Sequence, residues 1–219
     1  MGLNGPVTLD DVGRVEEFYR SRGVPCEIVL SPLADPSLRE FLAPRGYRIT
    51  EFNSVLIRPL EGCALVPPAD GIAVERVTVE TEQIWDRVIA QGFAEYGRLP
   101  ENLFAAFATL PDSLNFLASV DGEPAGGGMG AIMGAAGIAA LFGTATVLEF
   151  RRRGVQTALI NRRLWEASQR GCEYAVVSTM PGSCSQRNME RRGFRVAYSK
   201  IVMVRSWPEL SAEGQAHGH

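Results

Sequence analysis

Apolar residues along the chain recur either at helical spacing or in short runs, and these two patterns divide it into helices and strands. In the first predicted helix, 9–22, Val12, Val15, Phe18 and Tyr19 lie on one face. Further helices are predicted at 36–42, 81–96, 101–108, 183–192 and from the turn at Gly154 to Gly171. Strands are predicted at 26–30, 47–58, 72–78, 114–120, 124–132, 137–147, 173–178 and 194–205. The pattern indicates a protein of mixed helices and strands.

The segment Leu148–Leu159 combines a strand end, a turn and a helix start. It follows the apolar run 138–147, which predicts a buried strand, and it contains Gly154 and the consecutive arginines 151–153. The first amide groups of a helix have no partner within the helix, and the helix dipole adds partial positive charge there. The segment therefore predicts a site for a polyanionic ligand, most simply a pyrophosphate.

Two other phosphate motifs fit the chain less well. A Walker loop requires a lysine after its second glycine, and none follows here. Gly126, Gly128 and Ala131 have the spacing of a dinucleotide-binding turn, but no amphipathic helix follows them. We interpret this match as a chance feature of a glycine-rich strand.

The segment from Arg151 resembles the acetyl-CoA loop of the GCN5-related N-acetyltransferase (GNAT) superfamily, whose pattern is Gln/Arg-x-x-Gly-x-Gly/Ala. Arg151 and Gly154 fit this pattern, whereas Gln156 departs from it because a second small residue is usual there. The resemblance extends over about 71–205. It implies an α/β fold with a mixed, mostly antiparallel central sheet flanked by helices, and an acyltransferase that uses acetyl-CoA as co-substrate.

The resemblance also implies which residues hold the co-substrate. Backbone amides of the loop would bind the pyrophosphate, and the end of the preceding strand would pair with the pantetheine arm. The implied residues are Thr146, Val147, Leu148, Arg151, Arg152, Arg153, Gly154, Val155, Gln156, Thr157, Ala158, Ser185 and Asn188. For Ser185 and Asn188, a role in helix capping or a plain surface position stays an alternative.

Acid and base catalysts are less clearly marked. The tyrosine that relatives often use as an acid falls on Met189, which has no proton to give. Tyr198 is the candidate substitute, although a thiol with a pKa of about 8.5 is a tolerable leaving group without an acid. Glu149 is the candidate base, with a structural position at the sheet end as the alternative. Glu95 and Tyr96 are candidates for contact with the acceptor.

The N-terminal part resembles the end of the chain. Residues 45–49 (Arg-Gly-Tyr-Arg-Ile) resemble 192–196 (Arg-Gly-Phe-Arg-Val), and a second match follows at the same offset. We interpret 1–66 as a partial GNAT-like copy with a structural role, with chance similarity of short βα units as the alternative. The predicted organisation is then this partial copy, a complete GNAT domain at 71–206 and a tail at 207–219.

Composition narrows the range of partners. The net charge is -3, which argues against a nucleic-acid partner because phosphate backbones need a basic face. No run of eighteen apolar residues and no signal-peptide pattern occur, so we expect a cytoplasmic protein with no membrane partner. Four scattered cysteines indicate reduced thiols, and the two histidines lie in the tail, so no metal site is expected. Trp85, Trp165 and Phe142 are expected in the core.

These observations support one principal hypothesis and two rivals. The first is an N-acetyltransferase that moves an acetyl group from acetyl-CoA to a primary amine of a small molecule by direct attack in a ternary complex, acting as monomer or homodimer. A catalytically decayed CoA-binding or structural module is the alternative, favoured by Met189 and Gln156. A different acyl donor or an oxygen acceptor is the third hypothesis.

Overall fold

A computed structural model describes residues 1–94, 104–108 and 112–207. Its helices there are α1 (Leu9–Arg20), α2 (Pro36–Leu42), α3 (Glu82–Gly92), α4 (Ala105–Ala108), α5 (Val155–Gln169) and α6 (Cys184–Glu190). Its strands there are β1 (Cys26–Leu30), β2 (Arg48–Pro59), β3 (Ile72–Arg76), β4 (Phe116–Val120), β5 (Glu123–Met133), β6 (Ile138–Thr146), β7 (Tyr174–Thr179) and β8 (Arg195–Arg205). These elements follow the predicted order, and β1 and α2 have the predicted ends.

The chain divides into two compact units. The first comprises Met1–Leu56 together with the chain from Thr179 onward, and the second comprises Ile57–Ser178. In the first unit β8 pairs antiparallel with β1, from Cys26↔Arg205 to Leu30↔Ile201, which joins the last strand to the N-terminal residues. The organisation predicted from the sequence, with a region 1–66 and a domain 71–206, stays a prediction.

In the first unit, β8 lies between β1 and β2, and the two N-terminal helices begin with side-chain caps. Thr8 and Asp11 form a reciprocal capping box at α1. At α2, Asp35 accepts a hydrogen bond from the Ser37 amide at 3.0 Å, and Pro36 fits the first turn because it lacks an amide proton. The core of this unit consists of Val7, Val12, Cys26, Ile28, Leu38, Leu42, Tyr47 and Trp207.

A nearly buried carboxylate joins α1 to β8 and to the short helical turn Ala43–Arg45 before β2. The Glu16 carboxylate accepts hydrogen bonds from Arg45 Nη2 at 2.6 Å and from Arg205 Nη1 at 2.7 Å. Hydrogen bonds from Arg45 outweigh the effect of burial and hold the pKa of Glu16 below its ordinary value. The ion pairs of Glu16 with Arg45 and Arg205 therefore stabilise the folded state only while Glu16 is ionised.

In the second unit the strands are ordered β7-β6-β5-β4-β3. Neighbours from β3 to β6 are antiparallel, and only β6 and β7 are parallel, as the predicted mixed, mostly antiparallel sheet requires. That residues 1–66 are a truncated GNAT-like copy stays a proposal.

Three consecutive glycines in β5 let helices approach both faces of this sheet. A Cβ added to Gly126 would lie 2.8 Å from Val155 Cγ1 of α5, and one added to Gly127 would lie 2.6 Å from Ile89 Cγ1 of α3. Because successive strand residues point to opposite faces, α3 and α5 cover opposite faces of the sheet. The glycines therefore serve helix packing within a strand, which confirms that they form no nucleotide-binding turn.

Candidate functional site

Strand β6 carries a bulge near its middle. Its register with β5 passes from Met129↔Phe142 to Gly127↔Ala145, so two steps along β5 correspond to three along β6. Gly143 supplies the extra residue and has a φ of +52°, which glycine adopts more readily than other residues. A Cβ at this position would overlap Met129 Cε. The bulge bends β6 and requires glycine both for its backbone conformation and for space.

Beyond the bulge, β6 separates from β7. The parallel pairing runs from Ile138↔Tyr174 to Leu141↔Val177, and it ends one residue before the bulge region begins. Strand β6 then continues to Thr146, paired on its other side with β5. Residues 142–146 therefore present an open strand edge within this unit, to which an extended ligand with amide groups could add as a strand does.

The chain then turns into α5 through the segment 147–154. Two short-range bonds, from the Phe150 amide to the Val147 carbonyl and from the Arg151 amide to the Leu148 carbonyl, close the first part of the turn. Arg152 and Gly154 both have positive φ, at +64° and +95°. Such compact turns direct successive amides toward one side and form anion-binding concavities.

Four consecutive amides at the start of α5 are available to a ligand. Within the described residues, the amides of 152–155 have no hydrogen-bond acceptor in the chain. The Ala158 amide donates to the Gly154 carbonyl at 3.0 Å, and no side-chain hydrogen bond caps the start of this helix. Because α5 is fifteen residues long, its dipole adds partial positive charge at the same point. The arrangement is suited to a phosphate or diphosphate group.

The three arginines of the turn have different roles. Arg151 donates from Nε to the Thr146 carbonyl at 3.3 Å and from Nη2 to the Gly92 carbonyl at 3.4 Å, so it braces the turn against the end of β6 and of α3. Arg153 pairs with Asp121 at 2.9 Å, and both side chains are about half exposed or more. Arg152 is exposed. Three cations at a helix N-terminus are unfavourable by themselves, so an anion would relieve their repulsion.

A family model shows to which family the chain belongs. Residues 81–194, more than half of the chain, match the model of the acetyltransferase (GNAT) family. The chain belongs to the GNAT acetyltransferase family. Family membership suggests acyltransferase activity, and GNAT proteins normally use acetyl-CoA.

Solved structures of GNAT proteins share the fold at low sequence identity. A GCN5-related N-acetyltransferase from Kribbella flavida has a TM-score of 0.72 and 16% identity, covering 92% of this chain and 76% of that one. A GCN5-related N-acetyltransferase from Sphaerobacter thermophilus has a TM-score of 0.66 and 16% identity, covering 89% of this chain and 66% of that one. A tandem GNAT protein from the clavulanic acid biosynthesis pathway has a TM-score of 0.64 and 16% identity, covering 90% of this chain and 68% of that one. No curated protein matches the chain.

Most residues implied by the GNAT resemblance lie together in the second unit. Thr146 is the last residue of β6, Val147 donates its amide to the Ala125 carbonyl, and Leu148 and Glu149 are exposed in the turn. Val155 and Ala158 are buried against the sheet, so only their backbone could contact a ligand. Gln156 and Thr157 are half-buried.

The remaining candidates belong to the first unit. Ser183, not Ser185, caps α6, since its hydroxyl accepts a hydrogen bond from the Gln186 amide. Ser185 is half-buried one residue inside the helix, and Asn188 accepts a hydrogen bond from Arg191 at its side-chain oxygen. Tyr198 lies half-buried on β8.

Four further residues bear on the predictions made from the sequence. Met189, where relatives often have tyrosine, is buried, with 2% of its surface exposed. Phe142 is 41% exposed, so its predicted place in the core is wrong; it lies at the bulge, where β6 leaves its pairing with β7. Glu95 and Tyr96, the candidate acceptor contacts, lie outside the described residues.

One residue of the site was not anticipated. Arg163, in the middle of α5, is completely buried and donates hydrogen bonds to both strands at the bulge. Its sequence signal is weak because it follows Arg162 in a helix, where paired arginines usually indicate a solvated face. An isolated glycine within a predicted strand, here Gly143, is the usual sequence sign of a bulge.

Two absences concern only the described part of the chain. No group of three or more histidine, cysteine, aspartate or glutamate side chains there is arranged to hold a metal ion. No helix there has the length and apolar character needed to cross a bilayer.

Proposed function

We propose that this GNAT protein is an acetyl-CoA-dependent N-acetyltransferase acting on a primary amine of a small-molecule acceptor, by direct attack in a ternary complex. The observation that carries the proposal is the row of four amides at 152–155, adjoining the open edge of β6. A diphosphate group fits the amides, and the amide-containing arm of coenzyme A fits a strand edge.

In this proposal the residues of the chain bind and orient both reactants. The amides of 152–155 hold the diphosphate, and residues 142–146 align the arm so that the thioester lies near the bulge. Acetyl-CoA supplies the activated acyl group. Holding two reactants in a fixed geometry can lower the barrier by about 7–11 kcal/mol, so positioning alone accounts for a large part of a typical rate enhancement.

Proton transfer in the proposed reaction involves one base and at most one acid. Glu149 is exposed in the turn next to the amides and is the proposed base for an incoming ammonium group. Tyr198 remains the proposed acid toward the leaving thiolate. Because Met189 cannot donate a proton, the proposal also accommodates departure of the sulfur as a thiolate, given its ordinary pKa of about 8.5.

A decayed CoA-binding module is the second candidate, and a specific observation favours it. Met189 is buried at the position where many relatives have a tyrosine, so the acid of those relatives is absent at this position. Release of free thiol from acetyl-CoA with a panel of primary amines separates the two candidates. Turnover with any amine supports the enzyme, whereas tight binding without turnover supports the module. Exchange of the donor or of amines for alcohols in the same assay tests the third hypothesis.

The N-terminal region is proposed to be a partial GNAT-like copy that supports the fold. Tyr47 and Phe194 each follow a helix-ending glycine, each is buried, and each precedes a long strand, β2 or β8. Deletion of residues 1–65 should therefore give an unstable or aggregating protein, because β8 would lose its pairing with β1. A truncated protein that stays soluble, monomeric and active would contradict this role.

The main proposal is tested by thermal unfolding with and without acetyl-CoA. A ligand at one hundred times its Kd stabilises the folded state by about 2.7 kcal/mol, which raises the Tm by about 5–11 °C for a chain of this size. We expect Gly154→Asp to abolish this rise, because the carboxylate introduces negative charge among the four amides.

A matched control lies at the other end of the same helix. Gly171 also has positive φ, at +80°, with no atom within 4 Å of an added Cβ, and it is about 22 Å from the turn along α5. Gly171→Asp therefore carries a similar backbone strain and the same charge change, and it should keep the response to acetyl-CoA. A wild-type Tm that does not respond to saturating acetyl-CoA would overturn the proposed function.

A further inference from the structure

Arg163 is a buried cation that donates hydrogen bonds to both strands at the bulge. Its Nη1 donates to the Met129 carbonyl at 2.6 Å and to the Phe142 carbonyl at 3.3 Å. Its Nη2 donates to Thr144 Oγ1 at 2.6 Å, and its Nε donates to the Leu159 carbonyl of its own helix at 3.1 Å. The guanidinium therefore joins α5 to the residues that flank Gly143.

The bulge explains why such a donor is needed. An inserted residue interrupts the regular ladder and leaves backbone groups without their usual partners. At this bulge, Arg163 of α5 donates to oxygens of both strands. A guanidinium has five N–H donors in a rigid plane, so it satisfies several oxygens and also fixes their directions.

A merely space-filling role does not account for Arg163. A buried charge without an acidic partner is costly, and among the described residues no carboxylate forms an ion pair with this side chain. Burial lowers the pKa of Arg163 to about 9, so the group is still charged at neutral pH. An apolar side chain would join α5 to the sheet at lower cost.

The neighbouring strand is adapted to this side chain. A Cβ added to Gly128 would lie 2.9 Å from Arg163 Cζ and 3.0 Å from its Nε. The third glycine of β5 thus makes room for the guanidinium, as the first two make room for the helices. The bend of β6 therefore involves three residues that fit one another: Arg163 donates to the strands, Gly128 leaves space for its guanidinium, and Gly143 forms the bulge.

We infer that Arg163 is a positioning residue that fixes the bend of β6, and with it the open edge that aligns the thioester end of the acyl donor. This inference rests on the proposed function for the identity of the donor. The amides of 152–155 are held independently, through the bond from Val147 to Ala125 and the bracing by Arg151. Loss of Arg163 should therefore affect the arm of coenzyme A and not its diphosphate.

Binding measured by calorimetry with two probes tests this separation. The probes are coenzyme A and its half without the arm, 3′-phosphoadenosine 5′-diphosphate. We expect Arg163→Met to weaken coenzyme A binding at least tenfold while the affinity for the half molecule changes less than threefold. Arg163→Lys should recover part of the loss, since an ammonium can reach some of the same oxygens but cannot reproduce the planar fork.

Two further variants serve as control and as safeguard. Arg162→Met removes the adjacent arginine of α5, which is half-buried and pairs with Glu166, and it should leave the ratio of the two affinities unchanged. Thr144→Val removes one acceptor of the guanidinium without changing the side-chain volume. If Arg163→Met does not fold, Thr144→Val should still weaken coenzyme A binding about threefold. The inference would be overturned if Arg163→Met lost affinity equally for both probes, or if Thr144→Val bound coenzyme A with wild-type affinity.

A measurement without ligand separates this inference from the proposed function. Amide hydrogen exchange at residues 142–145 should accelerate in Arg163→Lys and Thr144→Val but not in Arg162→Met, because only the first two loosen the bulge. Unchanged exchange in both would refute the positioning role. A wild-type protein that binds neither probe would instead refute the proposed function, and the exchange result would still decide whether Arg163 holds the bend.

Discussion

Replacement of Gly143 by alanine tests the bulge on which the open strand edge depends. The residue has a φ of +52°, and an alanine there pays about 1–2 kcal/mol for the left-handed backbone. The new methyl group would also overlap Met129 Cε, and such overpacking typically costs about 1–3 kcal/mol. We therefore expect Gly143→Ala to lower the free energy of unfolding by about 2–5 kcal/mol.

The matched control is Gly137→Ala at the other end of β6. Gly137 has a similar φ of +61°, but the nearest atoms to an added Cβ, in Glu173, are 3.9 Å away. Gly137→Ala should therefore lower the free energy of unfolding only by the cost of the left-handed backbone, about 1–2 kcal/mol. Urea unfolding of both variants gives the difference. Combining Gly143→Ala with Met129→Ala should cost less than the sum of the two single changes, because the overlap is removed.

Binding shows whether the bulge also serves the ligand. Gly143→Ala should weaken coenzyme A binding, whereas Gly137→Ala should leave it unchanged, because β6 is still paired with β7 at its start. Equal losses of stability in the two glycine variants would refute the role given to Met129. Equal affinities for coenzyme A would refute the link between the bulge and the strand edge.

Two further predictions concern charged pairs. Glu16→Gln should cost about 1.5–3 kcal/mol at pH 7, the usual worth of hydrogen bonds to a charged group. Because the folded-state pKa of Glu16 is depressed, this cost should shrink as pH falls below about 4.3, as acid titration of both proteins would reveal; a pH-independent cost would contradict it. Arg153→Gln should change stability by less than about 1 kcal/mol, since its pair with Asp121 is exposed, yet weaken coenzyme A binding more at low salt than at high salt.

Local chemistry allowed much of the fold to be predicted, including the turn and helix start at which the anion site is proposed. The ends of α2 follow from the Asp35 cap, Pro36 and the breakers after Leu42, all of which act over a few residues. The start of α5 follows similarly from a buried strand that ends at a glycine-containing turn. These signals need no knowledge of the rest of the chain.

The parts that could not be predicted depend on distant residues. The lack of space for a side chain at Gly143 is explained by Met129 on the neighbouring strand, and the space for Arg163 is explained by Gly128. Phe142 is expected in the core, but it lies exposed at the bulge. The pairing of β8 with β1 likewise has no periodic signature, so the compact units could not be derived from the pattern.

The central claim is that the amides of 152–155 bind the diphosphate of coenzyme A, and NMR titration of ¹⁵N-labelled protein tests it most directly. We predict that these four amide protons move downfield and saturate with coenzyme A and with 3′-phosphoadenosine 5′-diphosphate, and that they do not respond to pantetheine, which lacks the diphosphate. If the four amide signals stay unchanged at saturating coenzyme A, the claim is contradicted.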